Sequence, residues 1–137
     1  MHYKMRDQIR FKIGKEEKNI QEKWIEIPEG TEHIQMMIEM PEEFRYMAFL
    51  FLEDPKKEIR FQKLLGYGQQ NPGIGKSTKD TTIGGVPGEI YPGTWKIGIG
   101  IFTEYVAQKL GEQTGEIVMT VSDRKDVVSD PIGGECW

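Results

Sequence analysis

Between Pro87 and Thr103 the chain reads Pro-Gly-Glu-Ile-Tyr-Pro-Gly-Thr-Trp-Lys-Ile-Gly-Ile-Gly-Ile-Phe-Thr. Trp95, Ile97, Ile99 and Ile101 fall on every second residue, the period of a strand with one face in a core. Lys96, Gly98 and Gly100 occupy the other face, where the two glycines let a neighbouring group come close. A helix is excluded by the wrong period and by the low helix propensity of glycine and β-branched residues. Pro92-Gly93 supplies the turn before the strand: proline presets φ and glycine accepts a positive φ. This strand is expected near the centre of an all-β fold. It carries no chemistry of its own.

The same alternation recurs along the chain. Ile9, Phe11 and Ile13 form a short strand that ends at Gly14, and Lys15–Lys18 is a solvated charged turn. Ile25 and Ile27 share a face opposite Trp24 and Glu26, before the turn Pro28-Glu29-Gly30. Ile34, Met36, Ile38 and Met40 mark another half-buried strand, with the methionines as core filler. His33, at its start, reads as a surface or edge residue. The continuous apolar run Tyr46–Leu52 reads as a strand covered on both faces, paired in a hairpin with Ile59–Leu65. Glu53-Asp54 between them reads as a solvated turn. Residues 66–88 form a long irregular segment in which Thr81–Ile83 adds a short strand. Glu104–Gly115 fits either a loop or one helical turn, and Glu116–Ser122 is a last strand. About eight or nine short strands, with turns at intervals of roughly 8–12 residues, predict a two-sheet β-sandwich of the jelly-roll type. The sandwich is expected over residues 1–122, with 123–137 as a linker or tail.

Composition narrows the function. The 137 residues carry a formal net charge of −4 with the signs interspersed, which argues against a nucleic-acid partner. No apolar run approaches the roughly 18 residues of a membrane-spanning helix. The N-terminus has no apolar signal core, and Cys136 is the only cysteine, so a reducing, cytoplasmic setting is expected. Gly75-Lys76-Ser77 imitates the end of a phosphate-binding loop, but Gln70 stands where the first glycine of that motif belongs and no helix-forming segment follows. His2 and His33 are too few for a zinc site, and no nucleophile has a base beside it in a known spacing. No catalytic residue, metal or cofactor is expected. Long loops often carry function, so Tyr67, Gln69, Gln70 and Asn71 are the candidate contacts for a carbohydrate or another small molecule. An exposed sheet edge would also let two copies pair as a homodimer.

A family likeness sharpens this outline. Trp-Ile-Glu-Ile-Pro-Glu-Gly-Thr at 24–31, Phe-Leu-Glu-Asp-Pro at 51–55 and Pro-Gly-Glu-Ile-Tyr-Pro-Gly-Thr-Trp-Lys-Ile at 87–97 follow one another around a glycine-rich loop. In this order they resemble the N-terminal β-sandwich of bacterial PHP-type (polymerase and histidinol phosphatase) metal-dependent phosphohydrolases, over roughly residues 8–122. Secreted pre-peptidase C-terminal domains look similar around Pro-Gly-Thr-Trp. In the PHP-type family the catalytic part follows the sandwich and opens on a His-x-His motif. This sequence has no His-x-His, so none of the family's metal or catalytic residues has a counterpart in it. The resemblance implies a non-catalytic accessory domain that docks on a catalytic hydrolase domain, in cis or in trans, or helps it recognise substrate. It also implies a linker to that domain beginning near residue 123.

Overall fold

The computed structural model describes residues 5–66, 68–111, 114–125, 128 and 130–133. Among these residues, nine strands form two antiparallel sheets. They are β1 (Arg6–Ile13), β2 (Ile20–Ile27), β3 (His33–Met40), β4 (Ala48–Glu53), β5 (Ile59–Leu64), β6 (Gly68–Gln70), β7 (Gly73–Gly75), β8 (Gly93–Ile101) and β9 (Gly115–Ser122). The first sheet runs β1-β9-β3-β6, with β7 also pairing β3, and the second runs β2-β8-β4-β5. The chain crosses between sheets after β1, β2, β3, β5, β7 and β8. This interleaving is that of a jelly roll, in which late strands insert between early ones. Thus β8, the alternating strand of the sequence, lies between β2 and β4.

The core is the stack of inward positions from both sheets. Ile9, Phe11 and Ile13 of β1, Met36 and Ile38 of β3, and Met119 and Val121 of β9 face Leu50 and Leu52 of β4 and the four apolar residues of β8. Trp95 is fully buried. Its indole Nε1 donates to the Tyr91 carbonyl at 2.7 Å, which satisfies the polar edge that a buried tryptophan must pair.

Three local expectations are corrected. The apolar run through β4 is covered on one face only: Ala48, Leu50 and Leu52 point inward, whereas Phe49 is 40% exposed on the outer face. Asp54 is not solvated. It is buried, with Oδ1 accepting from the backbone N–H groups of Lys56 and Glu58 and Oδ2 3.5 Å from the Arg60 guanidinium. In place of a short strand, residues 78–80 form a 3-10 turn, and Thr82 makes an isolated bridge to Pro131.

The segment left open between loop and helical turn is a two-turn helix, α1 (Thr103–Leu110), which ends at Gly111 with φ of 72°. Its first turn is held from a distance, because the Asn19 side-chain oxygen accepts from both the N–H and the hydroxyl of Thr103 at 3.0 and 2.9 Å. Such a cap comes from 84 residues away and leaves no trace in the local pattern.

Candidate functional site

Of the expected ligand contacts, Tyr67 lies outside the described residues. Gln69 and Gln70 sit in β6 and pair with Glu39 and Ile38. Gln69 is exposed and its amide reaches the Asn71 side-chain oxygen at 3.5 Å. Gln70 turns inward, where its Oε1 accepts from the Gly66 N–H at 3.2 Å. The Asn71 carbonyl accepts from Gln35 Nε2 at 3.0 Å. Gln70 and Asn71 therefore brace the edge of the first sheet.

The outer faces of the two sheets differ in kind. On the first sheet the register aligns Arg10, Val118, Glu39 and Gln69 in one row and Gln8, Thr120 and Met37 in the next, a face made mostly for water. On the second sheet Ile20, Gly100, Phe49 and Leu64 form one row. Glu22, Gly98, Phe51 and Gln62 form the next, followed by Trp24, Lys96 and Glu53. Phe102, two residues beyond Gly100, is 76% exposed, and Trp24 is 62% exposed. Ile20 and Leu64 are exposed as well. Lys96 links the charged end of this face, with its ammonium 2.9 Å from Glu22 and 3.6 Å from Glu53. The hydrogen bond to Glu22 is the main reason its pKa is raised.

The two glycines of β8 have different grounds. A Cβ at Gly98 would run into the ring of Phe51, so glycine is what lets that ring lie flat on the sheet. A Cβ at Gly100 would meet nothing within 4 Å. Neither its φ nor a neighbour in the chain calls for glycine there. Its effect is to leave a depression open between Ile20 and Phe49.

A second feature lies at the β7 edge of the first sheet. Glu32, His33, Lys76, Asp80, Asp123 and Lys125 line a cleft of about 310 Å³. His33, expected at the surface, is only 5% exposed, because β7 and the turn at 78–80 close over it. Its ring lies across the glycines of β7: a Cβ built at Gly73 would sit 2.9 Å from Cε1 and Nε2. Gln35 Nε2 donates to the carbonyls of Asn71 and Pro72, so Gln35 Oε1 is the acceptor for His33 Nε2 at 2.8 Å. His33 Nδ1 then carries a bare lone pair, buried and without a partner among the described residues. Burial pushes the His33 pKa down, against the opposing pull of the Gln35 hydrogen bond and the Asp80 charge. Lys125, 2.8 Å from Asp80, holds that carboxyl below the usual range. A larger hollow, of about 500 Å³, lies between Lys12–Glu17 and Thr114–Glu116, but it contains no buried unpartnered polar group among the described residues.

These shifts set a pH dependence. Unfolded chains bind a proton at His33 near its ordinary value of 6.5, while the native ring resists until lower pH. Stability is therefore full above pH 6.5 and falls as the pH drops from there toward the lowered native value. Asp80 acts in the same direction at lower pH. Its share is present above 3.8 and goes as the pH falls through its depressed native value. Lys76, Lys125, Glu32 and Asp123 also face the ring across the cleft. The urea midpoint is expected to be lower at about pH 5 than at about pH 7.5, with most of that difference lost in His33→Gln. An unchanged midpoint in the native chain would contradict the buried neutral histidine.

Comparison with known proteins returned no match, either to a family model or to a curated protein. Among the described residues, no helix is long and apolar enough to cross a membrane, and no three His, Cys, Asp or Glu side chains come together as a metal site.

Proposed function

We propose that this chain is a non-catalytic accessory β-sandwich that docks on, or assists substrate recognition by, a PHP-type metal-dependent phosphohydrolase domain. The observation that carries the reading is the outer face of the second sheet. Phe49, Leu64, Ile20 and Phe102 expose a contiguous apolar surface around the depression at Gly100, bordered by the Glu22–Lys96–Glu53 cluster. Apolar centres with polar rims are the anatomy of docking surfaces, and aromatic anchors dominate their energetics. Among the described residues, the polar outer face of the first sheet offers no such anchors. The likeness of residues 24–31, 51–55 and 87–97 to the PHP-associated sandwich names the partner class.

The test supplies a PHP-type catalytic domain from the same cells on a separate chain and measures association by sedimentation. Binding is expected, and Phe49→Asp is expected to weaken it by at least about 100-fold, or ~2.7 kcal/mol. Phe49 is only 40% exposed and sits in a central strand, so a loss of folding stability on the order of 1 kcal/mol is expected as well and is measured alongside by urea unfolding. No association, equal binding by Phe49→Asp, or phosphoester hydrolysis by the sandwich alone would overturn the reading. The second reading, a small-molecule-binding module using residues 66–88, gains support from the His33 cleft, to which this segment gives Lys76 and Asp80.

A further inference from the structure

We infer that the His33 cleft is a binding site for the ammonium head of a small protonated amine. The inference is independent of the docking face, which lies on the other sheet. It begins from the His33 ring, more than nine-tenths buried, whose Nδ1 is an acceptor left without a partner among the described residues. Leaving such a group unpaired is costly, and a ligand donor would recover that cost. Nδ1 faces the Asp80 wall of the cleft. A Cβ built at Gly75 would stand 3.2 Å from Nδ1 and 2.8 Å from the Asp80 Cβ, so glycine keeps the gap between the two open.

The chemistry of the lining selects the ligand. Three carboxylates, Glu32, Asp80 and Asp123, face two ammoniums, Lys76 and Lys125, around a neutral imidazole. The balance is acidic, and the unpartnered atom is a lone pair, so an anion is rejected on both counts. A bare divalent cation is not served either, since no three ligating groups converge among the described residues. An alkylammonium matches: it offers only donors, and it spans more space than a bare ion. The lysines already present hold their acids loosely or from solvent. Lys76 stands 3.8 Å from both Glu32 and Glu89, and the Lys125 side chain is more than half exposed. An incoming ammonium can thus pair with Glu32, or take the place of the solvent-exposed Lys125 at Asp80, whose other oxygen accepts from Ser77.

The experiment titrates the full chain with n-butylamine, n-butanol and n-butyrate at about pH 7.5, where an alkylamine is protonated and the histidine is neutral. The readout is the ring 15N resonance of His33 Nδ1, with His2 as the internal control. A saturable shift with butylamine, absent with butyrate, is expected. Asp80→Asn should weaken it at least fivefold, and Gly75→Ala, which fills the gap, should abolish it. If Gly75→Ala does not fold, Asp80→Asn alone decides. Saturation by butyrate or butanol but not by the amine overturns the inference. So does an absence of saturation with all three, or an unchanged affinity in Asp80→Asn.

Discussion

Arg60→Ala is expected to cost the fold about 3–5 kcal/mol, because it leaves the buried Asp54 carboxylate without its only charged partner among the described residues. Both side chains are almost wholly out of water, and the guanidinium-to-carboxylate distance of 3.5 Å gives only modest attraction. The loss therefore comes from the stranded charge and not from the pair's own strength. Arg60 also ties down the segment before β8. Its Nε donates to the Val86 carbonyl at 3.2 Å and its Nη1 to the Glu89 carbonyl at 2.7 Å. Urea unfolding followed by tryptophan fluorescence measures the effect. Asp54→Ala placed on top of Arg60→Ala should restore part of the loss, since the unpaired charge goes with it. A loss below about 1 kcal/mol in the single variant would mean that water reaches Asp54.

The alternating strands were legible because each keeps one face in the core. β1, β3, β8 and β9 show this period in their sequences, and their apolar inward positions are buried as it requires, although β3 also buries His33 and Gln35 on the opposite face. Trp95 inside and Trp24 outside are distinguished by the same rule, since Trp24 falls opposite Ile25 and Ile27. The rule fails where partners lie far along the chain. Phe49 and Phe51 look like core residues in a continuous apolar run. Only the pairing of β4 with β8 shows that they stand on an outer face, Phe51 over Gly98 and Phe49 beside the open Gly100. Asp54 and Arg60 look like ordinary loop and strand charges, yet closure of 86–91 buries them together.

The candidate sites were less legible for the same reason. His33 has no ligating neighbour in sequence, and its burial depends on β7, which is only three residues long. The Gly73-Ile74-Gly75 spacing was the available signal: two glycines on one face of a short strand mark where a side chain lies against the backbone. The apolar outer face proposed for docking had a signal too, in the glycines of β8. Only three-dimensional pairing separates Gly98, filled by Phe51, from Gly100, which stays empty.

Trp95→Ala is expected to destabilise the fold by about 3–5 kcal/mol, the range for a large aromatic removed from a packed core. The indole is completely buried between the sheets, and its removal also frees the Tyr91 carbonyl that it pairs. Arg60 leans on the same ring, its guanidinium carbon 5.5 Å from the centroid. The two losses should therefore fall short of additive in the double variant, by at least about 0.5 kcal/mol in a urea-unfolding cycle. Strict additivity would mean that tryptophan and arginine hold the Pro87–Gly93 segment independently. Trp24→Ala is the matching control, because its ring is open to water next to Lys96 and its loss should change stability by about 0.5 kcal/mol or less. The contrast separates folding from docking. A weaker association in Trp24→Ala cannot be blamed on a weakened core, so it would locate the partner on the charged end of the second sheet's outer face. Unchanged association would confine the partner to the apolar end, around Phe49 and the Gly100 depression.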